Sequence, residues 1–352
     1  MDRREFLKST GAAAAATAAA AAGAANAEAA PSAPTVGLGL RELRLAMSCG
    51  DSFAGPADWA HRLARNINEL SGGRFRVMPA FGITNPAAAL RAGDADLCFD
   101  NAGGLIDIHR GFASFAGLPG DLGLTPRRLQ TWIAVGGGQA LWDDLAHDVG
   151  LKPLLAAHTG PQSLMLASTH ISSMAALAGI KVQVGGLARD VARGLGMDVV
   201  SVAPGELASA MQHGSVQVAE CGGAILSYAL GLPAVAPFST GAGISQNGTS
   251  MYLGVRNSVW DSLSPGDQAV LATAANSEFQ LSLAEEEAHR YLLYPAPTAD
   301  RVWPIAADLA HAIERVAAAV VAHTAGADAR SRRIADSHAA FKRSAAGLDA
   351  YA

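Results

Sequence analysis

Residues 41–99 read RELRLAMSCGDSFAGPADWAHRLARNINELSGGRFRVMPAFGITNPAAALRAGDADLCF, and the period of their apolar positions changes repeatedly. Residues 41–47 alternate as a half-buried strand does, and Ser48-Cys49-Gly50-Asp51 punctuates them. Pro56 opens a helix at the position where its missing N–H does no harm; Trp59, Leu63, Ile67 and Leu70 then share one face, and Gly72-Gly73 ends it. The pattern predicts a strand over 75–78, a short helix over 86–92 and a strand over 96–99. That order, β-α-β-α-β, is the mark of a mostly parallel sheet with helices on both faces, an α/β fold.

The same grammar returns downstream. Strands are predicted over 164–167, 180–184, 199–202 and 216–220, with helices over 188–195 and 206–212 between the later ones. Leu90-Arg91-Ala92-Gly93-Asp94-Ala95-Asp96-Leu97 and Met211-Gln212-His213-Gly214-Ser215-Val216-Gln217-Val218 both run helix end, glycine stop, polar turn, strand entry. Two such units imply two similar lobes, with a cleft where strand C-termini face one another. The last third is mainly helical: 265–288, then 306–322 with Leu309, Ile313, Val316 and Val320 at helical spacing, then a charged final helix. These helices are expected outside the lobes and carry no assigned chemistry.

The first thirty residues read as an address. Arg3-Arg4-Glu5-Phe6-Leu7-Lys8 is a twin-arginine motif, an alanine-dominated run follows, and Ala25-Asn26-Ala27 is an A-x-A cleavage site. The alanine run is too weakly apolar for a stable membrane span. The mature chain, roughly 325 residues, is therefore expected to leave the cytoplasm as a soluble protein with room for two cores. Charged residues make up 16% and the net charge is −5 with signs interspersed, which leaves no basic footprint and argues against a nucleic-acid partner. Three cysteines, Cys49, Cys98 and Cys221, allow at most one internal disulfide, so cysteine scaffolding does not hold this fold.

Catalytic signatures are missing: no HExxH, G-x-S-x-G or P-loop occurs. Gly136-Gly137-Gly138 lies between Trp132 and Trp142 in helical surroundings, without the strand-then-helix context of a dinucleotide loop. The ten histidines show no i,i+4 pair on a metal-binding face and read as structural. The informative segments lie at predicted strand ends: Ser48 to Ser52, Asp100-Asn101-Ala102-Gly103-Gly104, His158-Thr159-Gly160-Pro161-Gln162, Glu220-Cys221-Gly222-Gly223 and Ser245-Gln246-Asn247-Gly248. Glycine beside polar side chains at strand C-termini lets a ligand approach backbone N–H groups, and as a set these segments predict a polar pocket.

Several stretches resemble the substrate-binding proteins of TRAP (tripartite ATP-independent periplasmic) transporters, in the branch of α-keto acid binders of the DctP type. They are Glu69-Leu70-Ser71-Gly72-Gly73-Arg74, Gly136-Gly137-Gly138 with Leu141-Trp142, Thr159-Gly160-Pro161-Gln162, Leu177-Ala178-Gly179-Ile180-Lys181-Val182, Ala219-Glu220, Val255 with Val259-Trp260, and Leu263-Ser264-Pro265 with Gln268. The resemblance implies a two-lobed periplasmic-binding-protein clamshell with crossing hinge strands and a long helix. It divides the chain into a signal peptide (1–27), a linker (28–40), lobe I (41–157 plus 247–288) and lobe II (158–246 plus 289–345). It implies a non-enzyme that captures a small-molecule solute in the periplasm, hands it to membrane permease subunits and leaves room for a homodimer through the C-terminal helices.

The resemblance also places an arginine that clamps a carboxylate where this chain has Gln183, and proline where it has Gly185. A guanidinium grips a carboxylate through two parallel charge-assisted bonds that a neutral amide cannot reproduce. Three explanations follow: a changed, neutral ligand, which is the first expectation, a bound cation that neutralises the ligand's acid, or Arg189 reaching in from the next helix. Positions matching the branch's metal-bearing residues are Gln162, Glu220 and Gln246, whose oxygens suit Na⁺ or Ca²⁺, with Cys221 where tryptophan is common. The expected substrate-binding set is Cys49, Asn101, Gln162, Gln183, Arg189, Glu220, Cys221 and Gln246. The readings set against a carrier are an enzyme or redox protein using Cys221 and Glu220 on the same scaffold, and a sensor subunit.

Overall fold

The computed structural model describes residues 39–161, 165–171, 173–240, 243–245, 247–293, 302–303 and 305–349. The expected signal peptide and most of the expected linker lie outside these residues, as do Gln162 and Gln246. The strands are β1 (Arg41–Ala46), β2 (Phe75–Ala80), β3 (Leu97–Asn101), β4 (Leu151–His158), β5 (Met165–Ala167), β6 (Lys181–Gln183), β7 (Asp198–Val199), β8 (Val218–Ala219), β9 (Phe238–Thr240), β10 (Ser250–Arg256) and β11 (Val302–Trp303).

They form two sheets, β2-β1-β3-β10-β4 and β11-β9-β5-β8-β6-β7. In the first, β2, β1 and β3 are parallel and β10 runs antiparallel between β3 and β4. In the second, β7, β6 and β8 are parallel and β5 runs antiparallel between β8 and β9. The two sheets are thus built alike, and β3 and β8, the strands entered by the two matching segments, occupy equivalent places. The chain passes between sheets from β4 to β5 and back from β9 to β10. The architecture is the expected two-lobed α/β fold.

Each lobe has its own core. Helix Pro56–Leu70 buries Trp59, Leu63 and Ile67 completely against the first sheet, while Leu70, expected on the same face, is 50% exposed at the helix end. On the other face Phe115 stacks between Trp132 and Trp142 at centroid distances of 5.1 and 4.9 Å. Such offset pairs add about 0.5–1.5 kcal/mol each beyond their burial. The glycine triplet has a packing role: Cβ atoms on Gly136 and Gly138 would come within 2.9 Å of Trp132, so the turn closes directly on that residue. In the second lobe Val182, Val191, Val218 and Leu309 are among the fully buried residues.

The long helix Pro265–Leu293 packs against β4, helix Pro56–Leu70 and helix Ala224–Ala229, touching both lobes. The final helix, Ala329–Asp349, departs from the expected division. It packs on the first lobe, with Ile334 in that core, Ser337 accepting from Trp132 Nε1 at 3.2 Å and His338 edge-on to Trp132. No helix among the described residues is long and apolar enough to cross a membrane.

Candidate ligand-binding site

The two passages between sheets touch each other. Thr159 N–H donates to Thr249 O and Thr249 N–H to Thr159 Oγ1, each at 3.0 Å, while Gly160 N–H donates to His158 Nδ1 at 3.1 Å. Gly248 has φ +72°, and a Cβ there would overlap the Gly160 carbonyl. Only glycine meets both requirements, so the crossing is fixed by backbone contact. His158 is buried without a described acid beside it, and burial pushes its pKa down to about 3, so it stays neutral.

Above this crossing a cavity of about 560 Å³ lies between the lobes. Asn101, Gly103, Asp107 and Gly117 line it from the first lobe, Gln183, Arg189, Glu220 and Cys221 from the second, and Thr159, Ser245 and Gly248 from the crossing. Four of the five glycine-and-polar segments singled out in the sequence therefore meet at one place. The fifth does not reach it: Phe53 lines the cavity, whereas Cys49 packs against the first lobe's core. Burial, then the nearby Asp100, pushes the Cys49 thiol up to about 11, which leaves it protonated.

Equivalence of β3 and β8 places Asn101 and Glu220 at corresponding strand ends. Asn101 Oδ1 accepts from Gly103 N–H at 2.6 Å and caps the turn Ala102–Leu105, so its amide NH₂ is the half able to meet a ligand. Glu220 is 5% exposed; its carboxylate accepts from Ile244 N–H at 2.6 Å and from Ser245 N–H at 2.9 Å. Burial raises its pKa and these backbone bonds oppose the rise. Cys221 beside it is pushed up to about 12 by burial and by Glu220, and all three cysteines are unpaired.

The turn after Glu220 is held from behind by a residue that no sequence motif marks. Glu286, on the long helix and 1% exposed, accepts from Ala224 N–H and from Ile225 N–H, the latter at 3.1 Å. A Cβ on Gly223 would overlap this carboxylate, and one on Gly160 would overlap the Glu286 Cγ methylene. One glutamate thereby ties the long helix to both the crossing and the pocket turn. Its only sequence signal is an acidic run, Glu285-Glu286-Glu287, which reads as solvated surface.

Gln183 ends β6, hydrogen-bonded through its backbone carbonyl to Glu220 N–H at 3.0 Å. Its side-chain Oε1 accepts from Val202 N–H at 3.1 Å, so what it can offer a solute is the donor half of the amide. Arg189 Nη2 lies 2.7 Å from Asp107 Oδ1 of the first lobe, and Arg110 of the first lobe lies 2.8 Å from Asp190, which also pairs with Arg193 at 3.0 Å. Both guanidinium groups lining the cavity, those of Arg189 and Arg193, thus already face carboxylates. Among the described residues no group of three or more His, Cys, Asp or Glu side chains could hold a metal ion.

The two pairs that span the lobes, Asp107–Arg189 and Arg110–Asp190, are half exposed and are each worth about 0–1 kcal/mol. Asp107→Asn combined with Arg110→Gln is expected to shift the closed population by up to about fivefold per pair at low salt and by much less at 1 M salt, where charges are screened. Small-angle scattering on the ligand-free protein reads this as a larger, salt-insensitive radius of gyration. An unchanged radius at low salt would show that the pairs do not hold the lobes.

A model of bacterial extracellular solute-binding proteins, family 7 (DctP), matches residues 125–294. A monocarboxylate 2-oxoacid-binding periplasmic protein of Nostoc is 24% identical over 295 residues, covering 81% of this chain and 79% of the relative. A TRAP transporter solute-binding protein of Bordetella bronchiseptica, solved with calcium and picolinate, superposes with a TM-score of 0.81 at 21% identity over 89% of this chain and 95% of its own. One from Pseudoalteromonas atlantica, solved with sodium and pyruvate, gives 0.82 at 18% identity, covering 89% and 97%. With two like-built sheets, a doubly crossed hinge and a cavity between them, this chain has the fold of TRAP solute-binding proteins, and its residues 125–294 match the DctP family model.

Proposed function

We propose that this TRAP-type solute-binding protein takes a small organic solute that is uncharged where Gln183 meets it, and delivers it to membrane permease subunits. The observation that carries this reading is the pairing of Arg189 with Asp107 and of Arg193 with Asp190. Every described guanidinium on the cavity wall is neutralised within the protein, and Gln183 brings only a neutral donor. Among the described side chains a free carboxylate finds no cationic partner unless it displaces Asp107 from Arg189, whereas an amide, carbonyl or hydroxyl matches Gln183, Asn101 and Thr159 as they stand.

Glu220 is the one acid in the cavity without a described cation beside it. Na⁺ or Ca²⁺ between Glu220, Gln162 and Gln246 would satisfy that charge with oxygen ligands. The metal would fix the solute's oxygen while Gln183 and Asn101 donate to it. A thermal-shift screen over neutral, acidic and aromatic solutes, run with calcium, with sodium and with chelator, tests both statements. The expected result is stabilisation by neutral or amide-bearing solutes, increased by one of the cations. Stabilisation by simple 2-oxo acids alone would overturn the neutral-ligand reading.

The periplasm is the compartment this function requires, and we assign export to the twin-arginine route through Arg3 and Arg4. Replacing both by lysine is expected to leave the precursor in the cytoplasm, read by fractionation and immunoblot. Undiminished mature protein in the periplasm would exclude that route.

A further inference from the structure

Among the apolar side chains that line the same cavity as the polar groups are Phe53, Val200, Val202, Leu207, Cys221 and Leu230. Five of them form one wall. Leu207 is buried in the second lobe's cluster with Leu166, Met211 and Leu232, and Val200, Val202, Cys221 and Leu230 pack half-buried against it. The wall is continuous with the polar end, because Val202 N–H is the donor that holds Gln183 Oε1. A solute seated at Gln183 and Glu220 therefore has an apolar surface directly beside it. The cavity of about 560 Å³ falls in the range of roughly 300–1,000 Å³ found for pockets that enclose drug-sized ligands. At about 30 Å³ per water it is far larger than a three-carbon acid needs.

We infer that the solute carries an apolar body of several carbons behind its hydrogen-bonding head, lying on the wall of Val200, Val202, Cys221 and Leu230. This rests on the solute-binding reading above and deepens it from a neutral head to an amphipathic molecule. The wall gains from such a ligand because half-buried apolar side chains at the cavity surface are the ones whose contact with water a bound alkyl or aryl group removes. Each methylene so buried strengthens binding about fourfold, the equivalent of about 0.8 kcal/mol.

The test is a ladder of straight-chain 2-oxo acids and a parallel ladder of their primary amides, from three to about eight carbons, titrated calorimetrically into the mature protein with calcium present. The expected result is affinity rising about fourfold per methylene until the cavity is filled, with a negative heat-capacity change that grows along the ladder. Cys221→Trp, which fills the wall's edge, is expected to flatten that dependence and to weaken the longest members tenfold or more. Leu230→Asn, at a half-buried position, tests the same surface should the larger substitution disturb folding, and it too is expected to flatten the slope. Measurable binding that is flat along both ladders in the wild type overturns the apolar body and leaves the solute-binding reading standing. Binding by no member of either ladder removes that reading, and this inference with it.

Discussion

Replacing Arg62 with methionine is expected to lower the stability of the protein by about 3–5 kcal/mol at pH 8, the effect of stranding a buried carboxylate. Arg62, on helix Pro56–Leu70, grips Glu278 of the long helix through Nε at 2.8 Å and Nη2 at 2.7 Å, and reaches Glu285 through Nη1 at 2.6 Å. Trp59 Nε1 donates to the same Glu285 at 3.0 Å. The Arg62 side chain is 16% exposed and that of Glu278 is 0% exposed, so little water reaches the pair. Burial lifts Glu278 from its ordinary 4.5 to about 7 even with Arg62 in place.

The sign of the pH dependence follows. A carboxyl whose pKa is higher in the folded than in the unfolded state holds its proton more tightly when folded. Its contribution is therefore full below about 4.5 and is lost as pH rises through its folded value. Without Arg62 the folded value rises further, so Arg62→Met is expected to be much less destabilising at pH 5 than at pH 8. Urea unfolding at both values reads the difference, and Arg62→Met with Glu278→Leu should recover much of the loss by removing the stranded charge. An unchanged midpoint at pH 8 would mean that the pair does not join the helices energetically.

The second large effect is on binding. Gln183→Arg is expected to strengthen binding of pyruvate by tenfold or more, since a guanidinium offers two charge-assisted bonds of about 1.5–3 kcal/mol each. The gain is reduced by the loss of the bond from Val202 N–H to Gln183 Oε1, because arginine accepts nothing. The same substitution should weaken a ligand that is neutral at that end, where an unpaired guanidinium would be partly desolvated. Calorimetric titration of both proteins decides. Tight pyruvate binding by the wild type that vanishes in Arg189→Ala would show that Arg189 leaves Asp107 to serve as the clamp. No response of either ligand to the change would place the solute elsewhere in the cavity.

What the sequence made legible is bounded by local physics. The β-α-β-α-β run of 41–99 and its counterpart in 180–220 could be read because period, proline at helix starts and glycine stops are properties of neighbouring residues. β4 and β10 could not. Residues 151–158, LKPLLAAH, are buried along nearly their whole length and contain Pro153, so they show neither alternation nor a clean strand signal. In β10 Gly254 sits where a Cβ would meet Cys98 Sγ of the neighbouring strand β3, a demand that no local pattern shows. These antiparallel strands exist because their partners are there to pair with them.

The candidate site divides the same way. Glycine and polar residues at strand ends located Asn101, Thr159, Glu220 and Ser245 from sequence alone, because backbone turns at strand C-termini need those residue types wherever they occur. Cys49 carried the same local signal and missed the cavity by facing its own core. The sequence by itself determined the repeated α/β units, the glycine stops and the neutral residue at position 183. Only the tertiary structure decided that Arg189 pairs with Asp107, that Glu286 holds the pocket turn and that an apolar wall lies beside Gln183. Each of those contacts joins residues far apart in the chain, and an ion pair, a cap or a cavity wall has no energy until folding brings its members together.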